Sequence, residues 1–244
     1  MKKMIALTCA LAAFATTATL PTIEGRAATG FTAVTNLADD VKTMIAVPYQ
    51  ACVGGTAIAV KDLVSAQNLA AVESSASAES AARLFVLKAT SASPVYDTYY
   101  LNSTSGWQPV GEASASATVA AGDAVFLVNP VATNAYIKGG LVTNDQNTVC
   151  SNGYNLVSKI STEAYNLGSL TFTTPTAAAK AKNADKIILQ DATTIWYKDQ
   201  GNGTGKWWSQ GSEVTLSDVV IPAGAGFWYY NASATSVRIT PNNN

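Results

Sequence analysis

The chain has no histidine, and only 13% of its 244 residues are charged. Without an imidazole there is no Ser-His-Asp or Cys-His catalysis and no ordinary zinc site. The few lysines and arginines leave no footprint for nucleic acid. Cysteine is scarce, with three in the whole chain. After residue 15 no apolar run approaches the ~20 residues that a membrane helix needs. No glycine-rich phosphate loop follows a strand and opens a helix. These absences point away from an enzyme and from any cofactor.

What is present begins with a targeting pattern. Lys2 and Lys3 precede an apolar run over residues 4–15, which reads as a signal peptide over residues 1–28 and places the protein outside the cell or at its surface. Cleavage fits after Ala18 or after Ala27. Cys9 lies too early in the apolar run, and in too poor a context, for a lipoprotein signal. The mature chain keeps Cys52 and Cys150 and carries a net charge of about −3. An oxidising compartment permits a bridge between these two cysteines, worth roughly 4–5 kcal/mol in the loop-entropy account. The bridge is the expectation, and two separate thiols, which spacing does not exclude, are the alternative.

The rest reads as one unit written twice. Residues 119–130 run V-A-A-G-D-A-V-F-L-V-N-P, and residues 220–231 run V-I-P-A-G-A-G-F-W-Y-Y-N. Each has a turn glycine, a β-forming run and then an asparagine. Val-Thr-Asn recurs at 34–36 and 142–144. R-L-F-V-L at 83–87 answers K-I-I-L at 186–189, Tyr96 answers Trp196, and Trp107 answers Trp207. Landmarks in one order at a nearly constant offset indicate duplication. The fold expectation is mainly β: two tandem, duplicated β-sandwich or barrel-like modules, 29–138 and 139–244, with short helices in the connections. Residues 96–107 and 196–208 read as aromatic hairpins with polar, glycine-containing loops. Residues 59–71, 74–82 and 176–184 break the β pattern and read as short helices or loops.

The order Y-N-L-V, D-K-I-I-L, W-Y…K-W-W and I-P-A-G-A-G-F-W, with its first-copy counterpart, resembles a repeat of secreted proteins from Verrucomicrobia- and Lentisphaerae-type bacteria. The likeness covers residues 31–240 and implies a secreted tandem β-module with no catalytic residues to carry over. In the first copy Asp123-Ala124-Val125 stands where the second has Ala225-Gly226-Phe227, so the two turns are expected to differ.

Function is then weighed on what remains. The carboxylates from Asp39 to Asp218 are scattered, and no two recur as a pair in both copies, which favours solvated surface over a glycosidase dyad. Asp199-Gln-Gly201-Asn202-Gly203 faintly resembles a calcium loop but has too few carboxylates at alternating positions; a plain hairpin loop is the simpler reading, and no metal site is assigned. Four of the five tryptophans sit at repeat landmarks, as core residues would. Trp207 and Trp208 are adjacent, so one of them should face outward. Tyr197, Trp208, Tyr229 and Tyr230 are the candidates for stacking on sugar rings. The leading expectation is a non-enzymatic secreted or cell-surface structural protein, self-assembling into a layer or filament; the alternative is an extracellular carbohydrate-binding module. Its expected partners are copies of itself, other envelope proteins or polysaccharide, without nucleic acid or a transmembrane segment.

N-terminal sequencing of protein recovered from the culture medium is expected to begin at Thr19 or at Ala28. Material that still begins at Met1 would remove the export reading.

Overall fold

The computed structural model describes residues 29–37, 41–50, 57–63, 75–131, 133–142, 147–202 and 204–242. The export segment at 1–28 lies outside them, as do Cys52 and residues 143–144. The fold is mainly β, built of several antiparallel sheets with few, short helices, in a sandwich-like arrangement. Among the described residues no helix is long and apolar enough to cross a membrane.

The first half runs β1 (Thr29–Leu37), β2 (Thr43–Ala46), β3 (Tyr49–Gln50), β4 (Ala57–Ala59), α1 (Val60–Leu63), β5 (Arg83–Ala89), β6 (Val95–Asn102), β7 (Gly106–Pro109), β8 (Thr118–Ala120), β9 (Ala124–Val128) and β10 (Thr133–Leu141). The second runs β11 (Thr148–Cys150), β12 (Gly153–Val157), β13 (Tyr165–Asn166), β14 (Leu170–Phe172), β15 (Lys186–Ile188), β16 (Thr194–Asp199), β17 (Gly205–Ser209), β18 (Ser212–Glu213), β19 (Val220–Ile221), β20 (Phe227–Asn231) and β21 (Val237–Pro241).

The sheets repeat as the elements do. The order β2-β9-β5-β6-β7 is matched by β12-β20-β15-β16-β17, to which β18 adds an edge. The order β1-β10-β3 is matched by β11-β21-β14, and the pair β4-β8 by β13-β19. Smaller features follow. A 3-10 turn at Ala78–Ser80 precedes β5, and one at Ala181–Asn183 precedes β15. Ser75 bridges Asn102 in parallel, as Ala178 bridges Lys198. Two details of the sequence alignment shift. Arg83 pairs with Tyr100 and Lys186 with Trp196, so Trp196 answers Tyr100 rather than Tyr96; the β5–β6 hairpin is the longer one. The seam expected at 138/139 falls inside β10, because Gly140 and Leu141 still pair with β3.

Each half buries its own core, and alternation along the strands supplies it. The first is built around Ile45, Tyr49, Leu84, Tyr99, Trp107 and Leu127, the second around Leu167, Ile187, Ile195, Phe227, Tyr229 and Ile239. A third cluster lies between the halves: Met44, Ala124, Phe126 and Leu156, with Phe85, Leu87, Tyr96 and Trp228 packed on it.

The halves are joined by a reciprocal exchange of backbone bonds. The turn glycines Gly122 and Gly224 both have left-handed φ, 94° and 72°, which only glycine adopts freely. Gly224 O accepts the N–H of Ala46 at 2.8 Å, and Gly122 O accepts the N–H of Ser158 at 2.7 Å. Ile45 bridges Ala225, and Val157 bridges Asp123. Ile45 and Val157 hold equivalent places, opposite Val125 and Phe227. Each half therefore gives the other the same contacts that it receives, the signature of a twofold-like interface. The hairpin turns reciprocate too. Gln190 Oε1 accepts from Met44 N at 2.7 Å, while Gln190 Nε2 donates to Lys42 O at 2.8 Å. Ser91 O accepts from Tyr154 N at 3.1 Å. Both sheet-edge strands, β2 and β12, are thereby capped by the other half.

The two turns keep the same glycine geometry, and the Ala124/Gly226 difference that follows them has a steric cause. A Cβ on Gly226 would lie 2.5 Å from the Cβ of Ala124 and 3.0 Å from Val157 O. Ala124 and Gly226 are equivalent positions facing each other, and there is room for one methyl. Gly226→Ala is expected to cost about 1–3 kcal/mol by overpacking. Adding Ala124→Gly is expected to recover most of that loss, read as the urea midpoint. Two additive losses would show that the contact does not join the halves.

Candidate functional site

The sequence candidates divide by strand phase. β20 alternates buried and half-buried from Phe227 to Asn231. Tyr229 falls in the buried phase, with no exposed surface. Its hydroxyl donates to Asp185 Oδ2 at 2.6 Å, and its ring stacks on Phe172 at 5.4 Å. Tyr229 is therefore a core residue and not a glycan contact: next to Tyr230 on a strand, it must point to the opposite face. Tyr197 also turns to the inner side, against Trp207 at 5.0 Å and over Gly205. Trp208 and Tyr230 stand in the outward phase. Of the adjacent indoles, Trp207 packs inward on Phe172 and Trp208 faces the other way.

Of the two cysteines weighed for a bridge, Cys52 lies outside the described residues, and Cys150 is a free, buried thiol. It sits in the second core, where burial, with the charges of Asp123 and Asp185 nearby, pushes its pKa up. Asp185 is buried as well and accepts a second bond, from Ala232 N at 2.8 Å. Asp199 Oδ1 accepts from Gly201 N and Asn202 Oδ1 from Thr204 N. These side chains hold the hairpin loop that was weighed against a calcium site. Among the described residues no three His, Cys, Asp or Glu side chains gather to hold a metal.

Pairing register brings together residues that the sequence reading did not. Across the outer face of the second large sheet, one row reads Tyr154, Tyr230, Lys186, Trp196, Trp208, Glu213. All but Glu213 are half-buried. At ~4.8 Å per strand the four rings span about 19 Å. Tyr154 and Tyr230 touch at 4.8 Å, and Tyr154 meets Trp228 at 5.6 Å. Trp228 in turn meets Phe126 at 5.7 Å and Tyr96 at 6.4 Å, so the aromatic surface continues across the joint onto the first half. Tyr154, Trp196 and Trp228 are not among the sequence candidates for this face. The signal was there: residues two apart on a strand share a face, which groups 228 with 230 and 196 with 198.

Lysines lie on these rings. Lys198 Nζ is 3.7 Å from the centre of Trp208, Lys186 Nζ 4.2 Å from Tyr230, and Lys42 Nζ 4.2 Å from Phe85. Burial lowers the pKa of Lys186 from the usual ammonium value. Among the described residues, Lys206 pairs with Glu213 at 2.8 Å and Lys88 with Asp97 at 3.4 Å. Neither engages the three ring-bound ammoniums.

A cleft of ≈ 210 Å³ opens between the halves beside Thr90, Asp123, Ser151 and Asn155. Its one carboxylate, Asp123, already accepts from Ala120 N at 2.9 Å, and burial raises its pKa. Asn155 is spent on backbone carbonyls, including Ser151 O at 2.8 Å. No family model, curated protein or solved structure matches the chain.

Two outcomes follow from these side chains. Iodoacetamide is expected to leave Cys150 unmodified in the native protein and to label it after unfolding, read by peptide mapping; rapid native labelling would contradict its burial. The buried phenols set an alkaline limit. Burial raises Tyr96 to about 12. Tyr229 is held further up by burial, then by the charge of Asp185 and the hydrogen bond to it. Unfolded, both ionise near 10. Their stabilising contribution is full below pH ~10 and is lost as pH rises through the folded values. Tyr229→Phe is expected to cost about 1–3 kcal/mol at neutral pH, by stranding Asp185 Oδ2, and to make the alkaline loss shallower. Urea midpoints from pH 7 to 12 read both effects.

Proposed function

We propose that the protein is a non-enzymatic extracellular or cell-surface protein that holds polysaccharide on the aromatic face of its second half. The observation that carries this reading is a comparison of the two copies at equivalent positions. Their cores use similar apolar residues: Leu84 and Ile187, Tyr99 and Ile195, Trp107 and Trp207. The outer rows differ. The first copy has Val128, Arg83, Tyr100 and Gln108 where the second has Tyr230, Lys186, Trp196 and Trp208. One copy folds without the extra rings, so folding does not demand them. Rings in a row on a sheet offer flat apolar surfaces to the C–H faces of sugars. The buried carboxylates meanwhile hold phenol and backbone groups in place, a role in architecture rather than in acid–base chemistry.

A glycan array probed with the full chain tests this reading. Trp196→Ala and Trp208→Ala are each expected to weaken a hit about tenfold or more, on the scale of a lost aromatic anchor, with the thermal midpoint showing that the fold is kept. An array without hits would end it.

Self-assembly remains a second reading, supported by the β1–β10 ribbon. Among the described residues β1 pairs along one side only, through β10, and β3 reaches β10 only at Gly140 and Leu141. Long unpaired strand edges are templates for another chain. Size-exclusion chromatography with electron microscopy is expected to show oligomers or filaments, and a strict monomer at all concentrations would remove this reading.

A further inference from the structure

Resting on the glycan-binding reading, we infer that the polysaccharide is acidic, its carboxylates received by Lys186 and Lys198. Three ammoniums lie along the aromatic face, and each sits on a ring: Lys198 on Trp208, Lys186 on Tyr230 and Lys42 on Phe85, Tyr96 and Phe126. None of the three has a carboxylate within ion-pair distance among the described residues. Yet the chain as a whole is net negative. Three cations without an ion pair thus sit directly on the rings of this face. The nearest acid in the row, Glu213, is held by Lys206 at 2.8 Å.

The relative strengths of the contacts give the mechanism. An exposed cation–π contact is weak, and a charge-assisted hydrogen bond to a carboxylate is stronger. A uronate carboxylate therefore draws Lys198 off the face of Trp208, and Lys186 off Tyr230, and the uncovered ring receives the sugar. A neutral glycan offers the lysine nothing in exchange and must compete with it for the ring. The ammoniums act as displaceable covers that select charge, and no covalent step is involved.

The test compares polygalacturonate, its fully methyl-esterified form, a neutral β-glucan and single-stranded DNA, each titrated against the full chain by calorimetry. Polygalacturonate is expected to bind, with a Kd that rises about tenfold between low and high salt as screening sets in. Binding is also expected to change tryptophan fluorescence as Lys198 leaves Trp208. The ester and the glucan are expected to bind at least about tenfold more weakly, the scale of a lost charged hydrogen bond. Lys186→Gln with Lys198→Gln should weaken polygalacturonate by a similar factor and strengthen glucan binding, because the rings are then uncovered. Equal binding of the ester and the acid overturns the inference and leaves glycan binding standing. Equal binding of DNA overturns it in favour of a general polyanion surface. Binding of none of the glycans removes both the inference and the reading beneath it.

Discussion

Two carbonyls, those of Gly122 and Gly224, organise this molecule. Each belongs to a turn that only a residue without a side chain adopts easily, and each points its oxygen at a backbone N–H of the other half. Because the exchange is reciprocal, both halves must be present and correctly turned for either bond to form. The aromatic cluster around Met44, Phe126 and Trp228 then closes over the joint and removes its apolar surface from water. Hydrogen bonds set the register here, and burial supplies most of the stabilisation.

Pairing two copies through their sheet edges has a further effect. An open edge strand invites pairing with other chains, and β2 and β12 are closed by Gln190 and by Ser91. Both copies therefore spend the same edge on each other, and β18 covers β17 in the second half alone. What remains free to diverge is the outer face of each large sheet. There the row Val128, Arg83, Tyr100, Gln108 of the first copy is mixed, while the equivalent row of the second holds tyrosine, tryptophan and lysine. Duplication explains how one half can hold the fold while the outer face of the other is free to take on the proposed binding role.

Much of this was legible in the residues. Turn glycines, the asparagines after each strand and the aromatic hairpins repeat in order, and the matching sheets follow from them. Asn129 and Asn231 are both buried at the ends of equivalent strands, and Asn231 bonds Cys150 O, Thr235 O and Ser233 N. The candidate site was only half legible. Trp208 and Tyr230 were found because they are aromatic and near turns. Tyr229 and Tyr197 were chosen for the same reason and belong to the inner face, because composition carries no phase and a one-residue step reverses a strand side chain.

By itself the sequence determined the β class, the duplication, the turns and the lack of imidazole chemistry, because these depend on residue type and local spacing. The tertiary structure alone decided the rest: that Trp196 lies beside Trp208 and Lys186, that Cys150 is a buried free thiol, and that Ala124 faces Gly226. Such neighbours come from strands far apart in the chain. They meet only through pairing register and the joint between the halves, and no local pattern encodes either.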